Sequence, residues 1–481
     1  QGLATIASSC DPLCAAGRPP MAYALLRDAT PGLMLGLLLG AGSAWAERPA
    51  PDLAAGRAEY LRSCARCHGV DGRGDGVDAK RFYPRPRDVS LGVYKFRSTA
   101  SGTPPTDEDL FRVITRGLPG SNMQDFGYLD EATRWQLVEY LKSLSTLFEE
   151  VEPEPVEVAE DLGPERADLA KGREIYEQLG CAACHGASGR ANGPSAAGLV
   201  DDWGLPIRPA NLTQGWNYRG WDDPESVMLR VLTGMDGSGM PSYAGAVSPE
   251  DAWQLAYYVV SLKETPHWNQ IARATYVPGP LPGSLDDPRW EAAERTDVRL
   301  RNAVTMDGQW RDPPTVNHVA FQVLYNDEAV AFRVTWDDPS EDRGGLSDAF
   351  ALLLKPEEAQ GDTVTLQAWP HGGAPRLDLC HWSADTDQVQ EVVAEDFEAA
   401  KAPRGPLATL SSVARYEEGR WRMVLQRPLV PVTPRDAAAI IPERLTAVAF
   451  VAWDGGNPTA RAISPWTDVA WRPLQPAEAH Q

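Results

Sequence analysis

The sequence predicts a multidomain protein in which two all-α domains are followed by an all-β sandwich domain. Two observations predict the helical part. A Cys-x-x-Cys-His motif occurs twice, in "RSCARCHG" and in "LGCAACHG", and segments with apolar residues at helical spacing flank each copy. A third observation predicts the sandwich, because beyond about residue 265 the motif is absent and apolar residues alternate with polar ones. We expect the three domains at 52–148, 168–265 and 280–475.

Length and charge narrow the classes of function. The 481 residues carry a net charge of −22 at pH 7. A chain of this length is expected to hold about three domains at roughly 150 residues each. Nucleic acids attract basic surfaces, so the acidic balance predicts no nucleic-acid partner and suits steering toward basic proteins.

Residues 1–46 predict a targeting segment rather than a folded domain. From Met21 the chain has Arg27, then an apolar run from about Leu33, and then Ala44-Trp45-Ala46, an Ala-x-Ala cleavage site. This is the layout of a secretory signal peptide, preceded by an upstream extension. We therefore expect translation to start at Met21 and the protein to be periplasmic. An uncleaved signal would instead anchor it to the membrane.

A methionine keeps a constant distance from each motif. Cys64 and Met123 are 59 residues apart, and Cys181 and Met240 are also 59 residues apart, although the loops between them differ in sequence. Each methionine ends a Gly-Ser-x-Met phrase. Met228 and Met235 are competing candidates, but they lack this phrase.

A haem c accounts for the whole pattern. Paired thiols add to its two vinyl groups, the adjacent histidine reaches the iron from one side, and a thioether takes the sixth position. A structural zinc site would require a second Cys pair or a His pair in each repeat, and neither is present. A thioredoxin-like dithiol would require a strand–helix–strand context, which is also missing. The sequence therefore predicts two haem c groups.

Both repeats resemble class I cytochromes c, over 52–148 and 168–264. The motifs "CARCH" and "CAACH", with the matching "GLPGSNM" and "GMDGSGM", carry the resemblance. It implies covalent attachment at Cys64, Cys67, Cys181 and Cys184, and the axial pairs His68 with Met123 and His185 with Met240. In the matching stretches "PRPRDV" and "IRPANL", Arg85 or Arg208 would pair a haem propionate, or the stretches are plain solvated loops.

The segment 149–167, "EEVEPEPVEVAEDLGPERA", is acidic and contains prolines. Such a composition predicts an extended, self-repelling linker rather than a packed element.

The C-terminal region predicts paired strands. "HVAFQVLYNDEAVAFRVTWDD" alternates on both sides of a turn at Asn326-Asp327, and "ARYEEGRWRMVLQRPL" does so around Glu418-Gly419. "LTAVAFVAWDGG" predicts a further strand with a turn. Many short strands with polar turns indicate a β-sandwich.

Five phrases of this region resemble the haem-b-binding γ subunit of ethylbenzene dehydrogenase and related DMSO-reductase-type molybdoenzymes. They are "VAFRVTWDDPSED", "SDAFALLLKP", "RLDLCHWSAD", "GRWRMVLQRPL" and "VAFVAWDGGNPTARAISPW". That family holds its haem with a methionine and a lysine. Here the corresponding places have His371 and Arg461, and a guanidinium cannot ligate iron. Either His371 holds a third, b-type haem with an unfamiliar partner, or the domain has kept the sandwich and lost the cofactor. We expect Cys380 to be a buried apolar residue.

Filled coordination predicts the function. If each iron carries a histidine and a methionine, no position is open for substrate, so we expect an electron-transfer subunit with no catalytic residues. The γ-subunit resemblance implies an exported molybdoenzyme of the nitrate-reductase or dehydrogenase type as partner, with its catalytic and iron–sulfur subunits. It also implies electron exchange with a soluble c-type cytochrome or a quinol oxidoreductase.

Two alternatives come from other classes. The first is a dihaem redox enzyme such as a peroxidase, which requires one iron with a displaceable ligand. The second is a haem protein with a carbohydrate-binding sandwich, in which Trp369 or Trp382 stacks on a sugar ring instead of packing in the core.

Overall fold

A computed structural model describes residues 48–302, 315–355, 377–394, 410–430, 438–457 and 462–471. The predicted signal peptide lies outside these residues, and so do His371, Trp369 and Arg461. None of the helices in the described ranges combines the length and the apolar character that a membrane crossing requires.

The first helical region contains five helices. They are α1 (Leu53–Ser63), α2 (Ala65–His68), α3 (Asp107–Arg116), α4 (Glu131–Lys142) and α5 (Leu147–Glu150). Helix α1 begins at Asp52, whose carboxylate accepts a hydrogen bond from the Ala55 amide at 2.9 Å. Helices α1 and α4 cross closely at Gly56, where a Cβ would lie 2.9 Å from the Cβ of Tyr140. These are the two helices that the sequence predicts to frame the motif.

The second helical region repeats this arrangement. Its helices are α6 (Leu169–Gln178), α7 (Ala182–His185), α8 (Pro224–Thr233) and α9 (Pro249–Ser261). Helix α6 begins at Asp168 in the same way as α1 begins at Asp52. Gly172 meets Tyr258 of α9 as Gly56 meets Tyr140, with a Cβ 2.6 Å from the Tyr258 Cβ. The duplication in sequence is therefore a duplication in packing.

The acidic segment after α5 is extended, as its composition predicts, but it is packed, and the prediction of an unpacked linker is wrong. Val156 donates its amide to the Ser98 carbonyl at 2.9 Å. Trp253 of α9 donates its indole N–H to the Ala159 carbonyl at 2.9 Å. Val156 and Ala159 both pack against the core of the second helical region. The glutamates alternate with these small apolar residues, so the acids lie outward while the apolar side chains lie inward.

The described residues of the C-terminal region form thirteen strands: β1 (Ile271–Tyr276), β2 (Thr296–Arg299), β3 (Arg301–Asn302), β4 (His318–Tyr325), β5 (Ala329–Asp337), β6 (Ala349–Leu354), β7 (Leu377–Ser383), β8 (Gln388–Ala394), β9 (Ser411–Glu417), β10 (Arg420–Pro428), β11 (Thr446–Trp453), β12 (Ala462–Ile463) and β13 (Thr467–Trp471). The main hydrogen-bonded path runs β8-β7-β6-β11-β13-β1-β4-β5-β10-β9. The pairs β4–β5 and β9–β10 are the two predicted hairpins.

The two halves of this path face each other across one aromatic core. Ring centroids of Trp336 in β5 and Phe350 in β6 are 4.7 Å apart, and those of Trp382 in β7 and Trp421 in β10 are 5.0 Å apart. These side chains have essentially no exposed surface, and Cys380 is equally buried. Trp382 is therefore a core residue and does not offer a face to a sugar. The predicted fold class, helical domains followed by an all-β sandwich, is confirmed.

Candidate haem centres

Each Cys-x-x-Cys-His motif folds as one helical turn. The His68 amide donates to the Cys64 carbonyl at 2.9 Å, and the His185 amide donates to the Cys181 carbonyl at the same distance. The turn ends at a glycine with φ near +80° in both repeats. In the first repeat this glycine is Gly69, and its carbonyl accepts a hydrogen bond from the hydroxyl of the buried Tyr60 at 2.8 Å. Hydrogen bonds within the protein thus fix the conformation of the motif.

The two histidine rings are held by main-chain carbonyls. His68 Nδ1 lies 2.9 Å from the carbonyl oxygen of Arg87, and His185 Nδ1 lies 2.9 Å from that of Ala210. A carbonyl only accepts, so Nδ1 carries the hydrogen and the Nε2 lone pair remains available for a metal. Burial lowers the pKa of both imidazoles, which keeps them neutral at pH 7.

These carbonyls lie in the matching stretches "PRPRDV" and "IRPANL", where the sequence predicts Arg85 or Arg208 as a propionate partner and does not predict a role for main-chain atoms. The structure places Arg208 Nη1 3.9 Å from Asp454 Oδ2 of the sandwich, because the loop that carries it is covered by that domain. Arg85 is half-buried. In both stretches the residue whose carbonyl binds the histidine directly follows the shared Arg-Pro, and this common position is the signal that the sequence offers.

The first methionine loop is closed by its own serine. The Ser121 hydroxyl donates to the Leu118 carbonyl at 2.6 Å and accepts from the Met123 amide at 3.1 Å. The Leu118 amide in turn donates to the Met123 carbonyl at 2.9 Å. Gly117 precedes the loop with φ +62°, where a Cβ would lie 2.6 Å from backbone atoms of the returning chain.

The second loop has the same connections and identifies the counterpart of Met123. The Ser238 hydroxyl donates to the Met235 carbonyl at 2.6 Å, and the Met235 amide donates to the Met240 carbonyl at 3.0 Å. Met235 therefore occupies the place of Leu118. Met228 is fully buried in the core beside α9. Met240 is the residue that corresponds to Met123 in both sequence and loop geometry.

The surroundings of the first motif fit a haem. Cys64 and Met123 pack against the same apolar cluster, and Tyr94 packs there too. Two buried polar atoms, Tyr94 Oη and Arg87 Nη1, have no hydrogen-bond partner. Buried polar groups are rarely left in this state, and the carboxylates of a haem propionate are acceptors that would satisfy them.

Arg87 joins the first histidine to the second methionine loop. Its carbonyl accepts from His68, while its guanidinium lies 4.3 Å from the ring centroid of Trp203 and its Nη2 donates to the Asp236 carbonyl at 3.4 Å. Burial lowers the pKa of Arg87 to about 10, and the side chain remains charged at neutral pH. Arg87 thus contacts the first predicted axial histidine and the loop that carries the second predicted axial methionine.

Both methionine loops lie in the interface between the two helical regions. Asp236 of the second loop accepts from Arg97 Nη2 at 2.9 Å and from the Ser101 hydroxyl at 2.8 Å. The Arg97 side chain is fully buried. On the other side, the Gly220 amide donates to the Pro119 carbonyl of the first loop at 2.9 Å. The interface therefore places the segments that carry Met123 and Met240 against the opposite domain.

The sandwich is docked on the loops of the second motif. Asp337, at the end of β5, accepts from Asn211 Nδ2 at 2.8 Å, from Gln214 Nε2 at 3.0 Å and from Arg420 Nε at 2.6 Å. Burial alone would raise the pKa of Asp337, but the charge of Arg420 outweighs it and the pKa lies below its usual range. Asn211 follows Ala210, whose carbonyl holds His185.

A second contact comes from the β9–β10 turn. Gly419 has φ +82°, and a Cβ there would lie 2.9 Å from the side chain of Asn192. The Glu418 carbonyl accepts from the Ser188 hydroxyl at 3.3 Å. Ser188 and Asn192 belong to the glycine-rich loop that follows His185. The sandwich therefore covers both loops that surround the second histidine.

Comparison with known proteins assigns the helical regions. The family described as "Cytochrome C oxidase, cbb3-type, subunit III" matches residues 51–141, and the family described as "Cytochrome c" matches residues 169–263. The chain is 32% identical over 219 residues to the Cbb3-type cytochrome c oxidase subunit CcoP of Azospirillum sp. (strain B510), an overlap of 44% of this chain and 62% of that protein. It is 31% identical over 150 residues to the subunit FixP of Rhizobium etli, covering 29% and 48%. The chain thus spans less than two thirds of the length of these relatives.

The Kuenenia stuttgartiensis reducing HAO-like protein complex Kustc0457/Kustc0458 contains a chain that is 43% identical, with 45% of this chain and 100% of that chain covered and a TM-score of 0.43. A family 9 carbohydrate binding module from Caldicellulosiruptor kristjanssonii, in complex with glucose, is 11% identical with a TM-score of 0.27, covering 43% and 98%. The resemblance to the molybdoenzyme γ subunit stays a prediction. The family matches and the repeated geometry agree that residues 51–141 and 169–263 are two cytochrome c domains.

Proposed function

We propose that each domain binds one haem c and that the chain relays single electrons between them as a subunit of a larger redox complex. Attachment through Cys64, Cys67, Cys181 and Cys184 follows the family motif. When bound, each haem supplies one-electron chemistry at its iron, at a potential that a thioether ligand raises. The protein's part is to fix both axial side chains and to exclude substrate from the metal.

The axial assignment is supported by two features that both repeats share. His68 and His185 are held by a carbonyl at Nδ1, which leaves Nε2 for iron. Met123 and Met240 end loops with the same internal hydrogen bonds. A site with both positions filled by protein side chains transfers electrons and does not bind substrate, so the proposed activity is relay.

The observation that carries the relay is the position of Arg87. Its main-chain carbonyl binds the ring of His68, and its side chain reaches the Asp236 carbonyl in the loop of Met240. Arg87 thus connects the ring of His68 to the loop that carries Met240 across a packed interface. A packed, hydrogen-bonded interface limits how far the polar groups around each metal reorganise when charge moves.

Ligation is tested by replacing the methionines in the full-length haem-loaded protein. We expect Met123→Ala and Met240→Ala each to remove about half of the near-infrared band that marks methionine bound to ferric haem, and each to lower one reduction potential. Met235→Leu is the control, because it introduces the leucine found at the matching place in the first loop. It should change neither the band nor the reduction potential. Loss of the band in Met235→Leu, or its survival in Met240→Ala, would contradict the assignment.

Export and docking complete the proposal. The predicted signal peptide supports export to the periplasm, and covalent haem attachment at Cys-x-x-Cys-His is consistent with export. The relatives CcoP and FixP are, by name, subunits of cbb3-type oxidases, which supports a subunit role for this chain. The γ-subunit resemblance favours a molybdoenzyme as the complex, and the sandwich as the module that holds the haem pair against it.

The partner is tested by mild purification from the native host. We expect the chain to co-elute with a molybdenum-containing catalytic subunit and an iron–sulfur subunit, and to carry two haems per polypeptide. Co-elution with oxidase subunits would retain the relay but reject the molybdoenzyme. A chain that purifies alone and binds carbon monoxide stoichiometrically at rest would reject the subunit role.

A further inference from the structure

Three buried carboxylates at one end of the sandwich have no part in the proposed relay. Asp338 follows β5, Asp348 precedes β6 and Asp454 follows β11. One carboxylate oxygen from each lies within 4.8 Å of the other two. Asp338 and Asp348 have no exposed surface and Asp454 is 6% exposed. The chain therefore gathers three acids from three separate strand ends into one buried cluster.

Protein donors satisfy only part of this cluster. Asp348 is well bonded, since it accepts from the Trp421 indole N–H at 3.0 Å and from the Gly455 amide at 2.9 Å. Asp454 Oδ2 accepts from the Thr315 hydroxyl. Asp338 Oδ2 and Asp454 Oδ1, in contrast, are buried and have no hydrogen-bond partner. Such atoms are rare in folded proteins unless an ion or water binds them.

The charge of the cluster is also unbalanced. Over the described parts of the chain, Arg208 is the cation within ion-pair distance, with Nη1 3.9 Å from Asp454 Oδ2. A fourth acid, Asp342, lies at the rim, where its amide donates to Asp348 at 3.0 Å. One guanidinium at the edge does not neutralise three buried carboxylates. Buried charges of this kind are paired or coordinate a metal.

We propose that Asp338, Asp348 and Asp454 bind one Ca²⁺ ion. All the donors are oxygens, which Ca²⁺ prefers, and at Ca²⁺–oxygen distances of about 2.3–2.6 Å oxygens that lie within 4.8 Å of one another can share one ion. Mg²⁺ usually keeps several waters and binds through one or two carboxylates, so three carboxylates that converge in a buried space favour Ca²⁺. Gly456 borders the same space: a Cβ there would lie 3.2 Å from Asp454 Oδ1 and 3.1 Å from Asp342 Oδ2.

The ion would stabilise the end of the sandwich that docks on the second cytochrome domain. Asp338 directly follows Asp337, which binds Asn211 and Gln214 of that domain. Arg208, beside Asp454, belongs to the loop whose Ala210 carbonyl holds His185. Binding would therefore hold together the strand ends on which the domain interface is built.

The test uses the full-length haem-loaded protein, stripped with EGTA and titrated with CaCl₂ by calorimetry and by near-UV circular dichroism melts. We expect one Ca²⁺ per chain, with a dissociation constant inside the range of about 10⁻⁷–10⁻³ M known for oxygen-ligand sites, and a higher melting temperature of the sandwich. MgCl₂ at the same concentration should give a smaller shift. Haem content serves as a check that the rest of the protein is intact.

Two kinds of variant separate lost binding from lost folding. Asp338→Asn and Asp454→Asn should lower affinity by more than the about 10–100-fold that a supporting residue costs. Without Ca²⁺ they should melt above the wild type, because buried like charges are removed. Gly456→Ala keeps every carboxylate but fills the space, so it should also lose binding. Asp327→Asn, at the other end of the β4–β5 hairpin, is the control and should bind as the wild type does.

Three results would overturn the proposal. The first is the absence of binding heat and of any melting shift at millimolar Ca²⁺. The second is an unchanged Ca²⁺ response in Asp338→Asn, which would place the ion elsewhere. The third is an equal response to Mg²⁺, which would reject the assignment to Ca²⁺. None of these outcomes bears on the haems, so this proposal fails or survives independently of the relay.

Discussion

Removing the carboxylate of Asp337 is expected to separate the sandwich from the second cytochrome domain. This group is 6% exposed and accepts from Arg420, Asn211 and Gln214 at 2.6–3.0 Å. Breaking a buried ion pair by removing one partner costs about 3–5 kcal/mol. Arg420 retains Glu264 at 2.6 Å in the Asp337→Ala variant, which favours the lower end, about 3 kcal/mol. For a domain of this size, that loss lowers the melting temperature by about 6–12 °C.

Two probes report the two sides of the interface separately. Ten of the sixteen tryptophans follow residue 265, so near-UV circular dichroism reports the sandwich, while haem absorbance reports the cytochrome domains. In the wild type we expect the sandwich and the docked second domain to melt together. In Asp337→Ala the sandwich transition should move to lower temperature and separate from the haem transition. Asp327→Ala, an exposed acid of the same hairpin, should stay within about 0.5 kcal/mol of the wild type.

The stability cost of Asp337→Ala depends on pH in a defined direction. The pKa of Asp337 is lower in the folded protein than the value of about 3.9 in an unfolded chain. Its contribution is therefore fully present above pH 3.9 or so and is lost as the pH falls through the lower folded-state pKa. The penalty of Asp337→Ala should be constant from about pH 5 to pH 8. Coincident transitions at the wild-type temperature in the variant would refute the reasoning.

Three further predictions concern buried contacts. Tyr60→Phe and Tyr176→Phe should each cost about 0.5–1.5 kcal/mol in denaturant unfolding followed by haem absorbance, because each removes one buried hydrogen bond to a glycine carbonyl that keeps a longer bond from a main-chain amide; unchanged midpoints would show that water replaces the hydroxyl. Asp236→Ala should cost about 3–5 kcal/mol because it leaves the buried Arg97 guanidinium unpaired, and adding Arg97→Met should recover part of that loss; strictly additive effects would mean that the pair is not coupled. Gly419→Ala should weaken sandwich docking by about 1–3 kcal/mol, measured by the same two-probe melt, because a Cβ there would lie 2.9 Å from the side chain of Asn192 at a φ of +82° that itself disfavours a side chain; a silent variant would show that the turn does not press on the second domain.

Local patterns explain what the sequence could predict. The helices around each motif and the two hairpins follow from side-chain periodicity, capping residues and turn residues that lie within a few positions of one another. The spacing of Cys64 and Met123 predicted their association because a repeat at constant distance implies a shared partner. The loop hydrogen bonds now show why Met240, and not Met235, is the counterpart.

Long-range contacts explain what it could not. The carbonyl that holds His68 belongs to Arg87. Every residue has a main-chain carbonyl, so the residue type does not indicate which one binds the histidine. Arg208 was considered beside a propionate, but the sandwich, more than 200 residues further on, provides Asp454 instead. The glutamates of the segment after α5 predict an exposed linker, although Val156 gives it an inward face. Each of these depends on how separate domains meet, which composition and periodicity do not encode.

The central claim is that electrons pass between the two haems inside one chain. Rapid photoreduction of the full-length oxidised protein by a fraction of one electron per chain, followed at two haem bands, measures this step directly. The account predicts a first-order equilibration whose rate is independent of protein concentration, slowed in Arg87→Ala and unchanged in Arg85→Ala. A rate that rises in proportion to protein concentration would show that electrons move only between chains, and would contradict the relay.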